Sequence, residues 1–118
     1  MPANFRHFRA GPDPAGRSWR ADLMWMQTAV AIRHSDSIDV KFLLSDGSAR
    51  IERVVSLRHP DLLELSRKTG QPVTDPWCCR LAALHLTHMI ETGEDFEKTL
   101  VTVEPSHLAR YGEALAGA

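Results

Sequence analysis

The chain has 118 residues, 43% of them hydrophobic and 25% charged, with a formal net charge of −1. That length suits one domain with a sizeable core, and the composition is that of an ordinary globular protein without general affinity for nucleic acid or a membrane surface. No apolar run approaches the ~18 residues of a membrane span, and no charged-then-apolar leader with a small-residue cleavage site is visible, so a cytoplasmic protein is expected.

Charge is unevenly spread. Residues 1–20 hold Arg6, Arg9, Arg17 and Arg20 against Asp13 alone, a net +3 that leaves −4 on the remaining residues. Pro2, Pro12, Pro14, Gly11 and Gly16 interrupt any periodicity there, which predicts an extended basic arm over residues 1–20 ahead of a single domain over 21–118. Phe5, Phe8 and Trp19 should seat that arm in a groove of its own domain, a second subunit or a partner.

From Leu23 to Arg33 both alternating sets are apolar, with Leu23, Trp25, Ala29 and Ala31 on one side and Met24, Met26, Val30 and Ile32 on the other. This pattern predicts a first strand covered on both faces, closed by turn residues His34 to Ser37. Ile38 to Leu44 alternates, with Ile38, Val40, Phe42 and Leu44 inward. Asp46-Gly47 then predicts a two-residue hairpin that places Phe42 opposite Ile51 and Lys41 opposite Glu52.

A first helix is expected to open near His59-Pro60 and end at Gly70, with Asp61 in its first turn and Arg67 and Lys68 in its last. The second runs from Asp75, read as N-cap, through Pro76 to Gly93. Its polar wedge is only Arg80, Thr87 and Glu91, so it should be buried on most sides. Phe96 to Val103 is rich in β-formers, and Pro105 opens a last helix with Leu108, Tyr111 and Leu115 at helical spacing. The predicted fold class is α+β: a small antiparallel sheet, a three-strand meander plus a fourth strand, packed against two or three helices in the order βββααβα. The first two helices cover one face, so the second apolar face of the first strand needs the last helix, the arm or a second subunit. A homodimer would be one solution.

Four constellations are of residue types that could carry chemistry. Cys78, His85 and His88 on the second helix are ligand types that zinc takes. Cys78 and His85 are two turns, about 10 Å, apart, however, and no Cys-x-x-Cys or His-Glu-x-x-His completes a site, so a core role outweighs a metal role. Cys78 and Cys79 are adjacent, which disfavours a disulfide between them and suits reduced thiols. Their place in a helix first turn would favour a thiolate, but packing as small core residues outweighs catalysis. Arg6, Arg9, Arg17, Arg20 and Trp19 mix cations with a ring as single-strand nucleic-acid binders do, though no recognised nucleic-acid motif accompanies them. Neither carboxylate group, Asp36, Asp39 and Asp46 or Glu91, Glu94, Asp95 and Glu97, has calcium-loop spacing. The expectation is a non-enzymatic domain without cofactor that acts by self-association or protein–protein interaction. Nucleic-acid binding through the arm and a metal or thiol site on the helix 75–92 are the alternatives.

Overall fold

The computed structural model describes residues 4–29 and 36–117. It is an α+β fold: strands β1 (His7–Ala10), β2 (Trp19–Ala29), β3 (Ser37–Ser45) and β4 (Arg50–Arg58), helices α1 (His59–Thr69) and α2 (Asp75–Thr92), strand β5 (Leu100–Thr102) and helix α3 (Pro105–Ala116). The five strands form one sheet in the order β1-β2-β3-β4-β5. No helix among the described residues is long and apolar enough to cross a membrane.

Two features depart from the expected meander. Residues 7–10 of the basic segment form an edge strand antiparallel to β2, with Phe8 and Ala10 buried in the core. The sheet is also mixed, because β5 pairs parallel to β4, Val55 opposite Val101. β5 is reached through two helices, and such a crossover permits the parallel pairing that a tight turn forbids. It is shorter than the β-rich run suggests, since residues 94–97 are taken up by turns and Arg53 Nε donates to the Phe96 carbonyl at 2.6 Å.

The β3–β4 hairpin forms with a longer loop than a two-residue Asp-Gly turn. Ser45 pairs with Arg50, so Phe42 lies opposite Arg53 and Leu44 opposite Ile51. The Asp46 carboxylate accepts the Ser48 and Ala49 amides at 3.0 and 2.7 Å, which closes a loop of residues 46–49. The register slips by an even number, so every side chain keeps its face. Lys41 and Glu52 still meet, at 2.5 Å, as a diagonal pair.

In β2 the register shifts between Leu23 and Trp25. The bulge reverses the alternation, so Leu23 and Met26 pack on the core while Trp25 lies across from Lys41 on the other face. The expectation that Leu23 and Trp25 share a side, under cover on both faces, is therefore corrected. Met24 and Trp25 are 51% and 36% exposed. Residues 30–33 of the predicted strand, and His34 and Ser35 of its turn, lie outside the described residues.

The core lies between the sheet and the helices. Phe8, Trp19, Ala21, Val40, Phe42, Leu44, Val55 and Leu57 from the strands meet Leu62, Leu81, Leu86 and Ile90 from α1 and α2 and Leu108 from α3. α3 packs against α1 and α2 within the same layer. Both helix stops fall where glycine supplies left-handed backbone, Gly70 at φ 74° and Gly93 at φ 78°. The N-cap of α2 is Thr74, one residue ahead of the expected Asp75, and its hydroxyl accepts the Trp77 amide at 3.2 Å. Thr74→Ala is expected to cost about 1 kcal/mol, read as a lower denaturation midpoint, whereas Asp75→Ala costs less than half of that because it removes only a charge–dipole contribution.

Candidate metal centre

α2 contributes His85 and His88, one turn apart, so the two rings lie on the same side of the helix and stack with centroids 5.8 Å apart. α3 begins at Pro105 and sets His107 in its first turn, where the ring meets His88 edge-on at 4.9 Å. Gly93 reverses the chain in the left-handed region and delivers Glu94 back over the last turn of α2, where His88 Nε2 donates to its carboxylate at 2.8 Å. One ligand atom from each of His88, Glu94 and His107 lies within 4.8 Å of the others. The end of α2, the turn after it and the start of α3 thus present two imidazoles and a carboxylate at one spot.

Behind them stands a buried polar pair. The Tyr111 hydroxyl lies 2.8 Å from His85 Nδ1 and 3.5 Å from His107 Nδ1. The single hydroxyl proton can serve only one imidazole, so the other nitrogen donates to the phenol oxygen. Engaging Nδ1 of His107 leaves its Nε2 as the ligand atom, the arrangement that outer-sphere partners impose on metal-binding histidines. His85 is buried, and burial first, then the neighbouring His107 and His88, pushes its pKa down to about 4. It is neutral at pH 7 and places no positive charge beside the site. Burial likewise pushes the Tyr111 phenol up to about 12, which keeps it a proton-bearing hydroxyl. The Glu94 carboxyl is held below its ordinary range, chiefly by the hydrogen bond from His88.

Comparison with protein-family models, with curated proteins and with solved structures finds no significant match to this chain. The reading of the site therefore rests on its geometry.

The residues singled out in the sequence are redistributed. His88 is part of the cluster and His85 stands behind it, but Cys78 does not belong to the His88–Glu94–His107 group. Cys78 is buried at the start of α2, and burial, then Asp75 and Cys79, pushes its thiol up to about 11. Burial also raises Cys79, whose Sγ lies 3.6 Å from the Phe5 carbonyl. Desolvation outweighs the helix N-terminus here, so neither thiol is an activated nucleophile at neutral pH. Glu94 stands out in the sequence only as one of a group of carboxylates without calcium-loop spacing, and nothing local pairs it with His107, because nothing local fixes how α3 lies on α2. The one available signal was Glu94 directly after the Gly93 stop, six residues beyond His88.

The basic segment is divided too. Trp19 is 2% exposed and its indole donates to Asp13 at 3.1 Å, so its ring is out of reach of a base. Arg17 pairs with Asp13 and Asp46, and Arg20 pairs with Asp22. Arg9 on the outer strand β1 and Arg6 just ahead of it are exposed.

Proposed function

We propose that this domain binds a divalent transition-metal ion, with zinc as the best match, through His88, Glu94 and His107. The observation that carries this reading is the convergence of three ligand atoms from α2, the following turn and α3. Two imidazoles and a carboxylate suit zinc and its borderline neighbours rather than calcium or magnesium, which take oxygen ligands. Glu94 is exposed, so a fourth position opens to solvent and a water would fill it. An ion held here would tie α2 to α3 and thereby stabilise the folded state.

Calorimetric titration of the chelator-treated, untagged protein with zinc should show one ion per chain. His88→Ala and His107→Ala should each abolish that stoichiometric binding, and Tyr111→Phe should weaken it about tenfold, the size of effect typical of outer-sphere partners. Cys78→Ser should leave it unchanged. Failure of the native protein to bind, or binding that survives His107→Ala, would remove the proposal.

A further inference from the structure

We propose that the outer edge of β1, together with the cleft between it and α2, receives an extended peptide segment from a partner protein. The segment would be apolar at its centre, acidic at one end and basic at the other. This site is separate from the metal cluster and needs no ion.

The edge follows from the strand register. Leu23 N–H donates to the Arg6 carbonyl, and alternation along the antiparallel pair then turns the backbone groups of His7 and Arg9 away from β2. The His7 amide is used by the Asn4 side chain. The Arg9 N–H and carbonyl lie on an edge where no further strand pairs among the described residues. An extended chain adding there would gain main-chain hydrogen bonds, and its alternate side chains would point toward α2.

What lies toward α2 is a cleft of about 330 Å³, floored by Phe5, Ala10, Ala83 and Leu84 with Arg9 and Glu91 at its rim. That volume falls in the range of ligand-binding clefts, and β1 with its flanks is long enough for a five- or six-residue strand, roughly 17–20 Å. The charges choose the occupant. Arg80 lies over the Phe5 ring at 5.6 Å, and the exposed Arg6 follows Phe5 directly in the chain, so that end of the cleft is cationic. Glu91, three turns further along α2, puts an anion at the Gly11 end, while the alternation that buries Phe8 and Ala10 turns the Arg9 side chain to the opposite face beside Arg20. A second copy of β1, reading Arg6-His7-Phe8-Arg9, brings no acid and would set arginine against arginine. A foreign segment with one acid and one base meets both ends.

The probe is a pair of fluorescein-labelled hexapeptides, one Glu-Val-Thr-Val-Thr-Lys and the other its reverse, titrated with chelator present. One order is expected to bind and to shift the amide resonances of Arg9 and Leu84. Arg9→Pro, which takes away the outward N–H while leaving the ladder to β2 its donors, should weaken binding about tenfold or more beyond Arg9→Ala, which keeps it. Glu91→Lys, an exposed change on α2, should weaken binding as well and serves as the independent variant should Arg9→Pro disturb the fold. Absence of binding by both orders up to about 1 mM overturns the proposal. So does binding insensitive to Arg9→Pro and Glu91→Lys, or equal binding by a peptide of residues 5–11, which would point to a second copy.

Discussion

Trp19→Ala is expected to destabilise the domain by ~3–5 kcal/mol, the usual cost of truncating a large buried aromatic and a large part of a typical domain's ~5–15 kcal/mol. The ring packs edge-on against Phe96 at 5.6 Å and lies under the Arg17 guanidinium at 4.9 Å. Its N–H also completes a network around Asp13, whose carboxylate accepts the Ala15 and Arg17 amides at 2.9 and 2.8 Å. That network holds the connection between β1 and β2. Trp19→Phe should fall between the native protein and Trp19→Ala, because it keeps most of the packing and loses the indole donor. Urea unfolding measures both, and a loss under ~1 kcal/mol for Trp19→Ala would contradict the account. The Asp13 carboxyl is held below its ordinary range, first by the Arg17 amide and then by the Trp19 indole. A depressed folded value contributes stability above the unfolded pKa of ~3.9 that is lost as pH falls through the folded value, so this loop should loosen only in strong acid. Asp13→Asn should remove that part of the acid dependence.

Local chemistry made much of the fold legible. His59-Pro60 and Gly70 bound α1 as their backbone preferences require, and Gly93 stops α2. The alternation from Ile38 to Leu44 named the buried face of β3, and the hairpin was placed correctly in sequence. Its register was not legible, because Asp46 can cap a four-residue loop as readily as it can enter a tight turn. The bulge at Met24 was hidden because a run of apolar residues carries no parity signal. β1 was missed for a different reason: prolines and glycines flank it, and its four residues gain their order only from pairing with β2. The parallel β5 is a tertiary outcome of the α1–α2 crossover.

The candidate metal centre was half legible. Two histidines at i and i+3 on an apolar helix marked the neighbourhood, and the pitch of a helix already weighed against Cys78, His85 and His88 as one ligand set. Of the other two members of the cluster, Glu94 follows directly on α2 and His107 comes from across the α2–α3 contact. Position 94 is set by the left-handed residue before it, and position 107 by how α3 seats on its neighbours. Such seating is decided by close packing, which single-sequence periodicity does not encode.

Gly112 shows how tight that seating is. A Cβ there would lie 2.6 Å from Leu65 Cδ1 and 3.0 Å from its Cγ, so α3 approaches α1 at a distance only glycine allows with Leu65 where it stands. Gly112→Ala sets a helix-propensity gain of ~1 kcal/mol against an overpacking cost of ~1–3 kcal/mol, and the second should prevail. Gly112→Leu has no room and should cost ~3 kcal/mol or more by prising α3 from α1. The same displacement would draw His107 from His88, so zinc affinity should fall in Gly112→Leu although no ligand is touched. Leu65→Ala distinguishes this contact from a general loss of helix. It removes the opposing methyls, so in the Gly112→Ala background it should cost less than in the native protein, with a coupling of ~0.5–3 kcal/mol. Strict additivity of the two substitutions in denaturant unfolding would show that Leu65 is not what Gly112 makes room for.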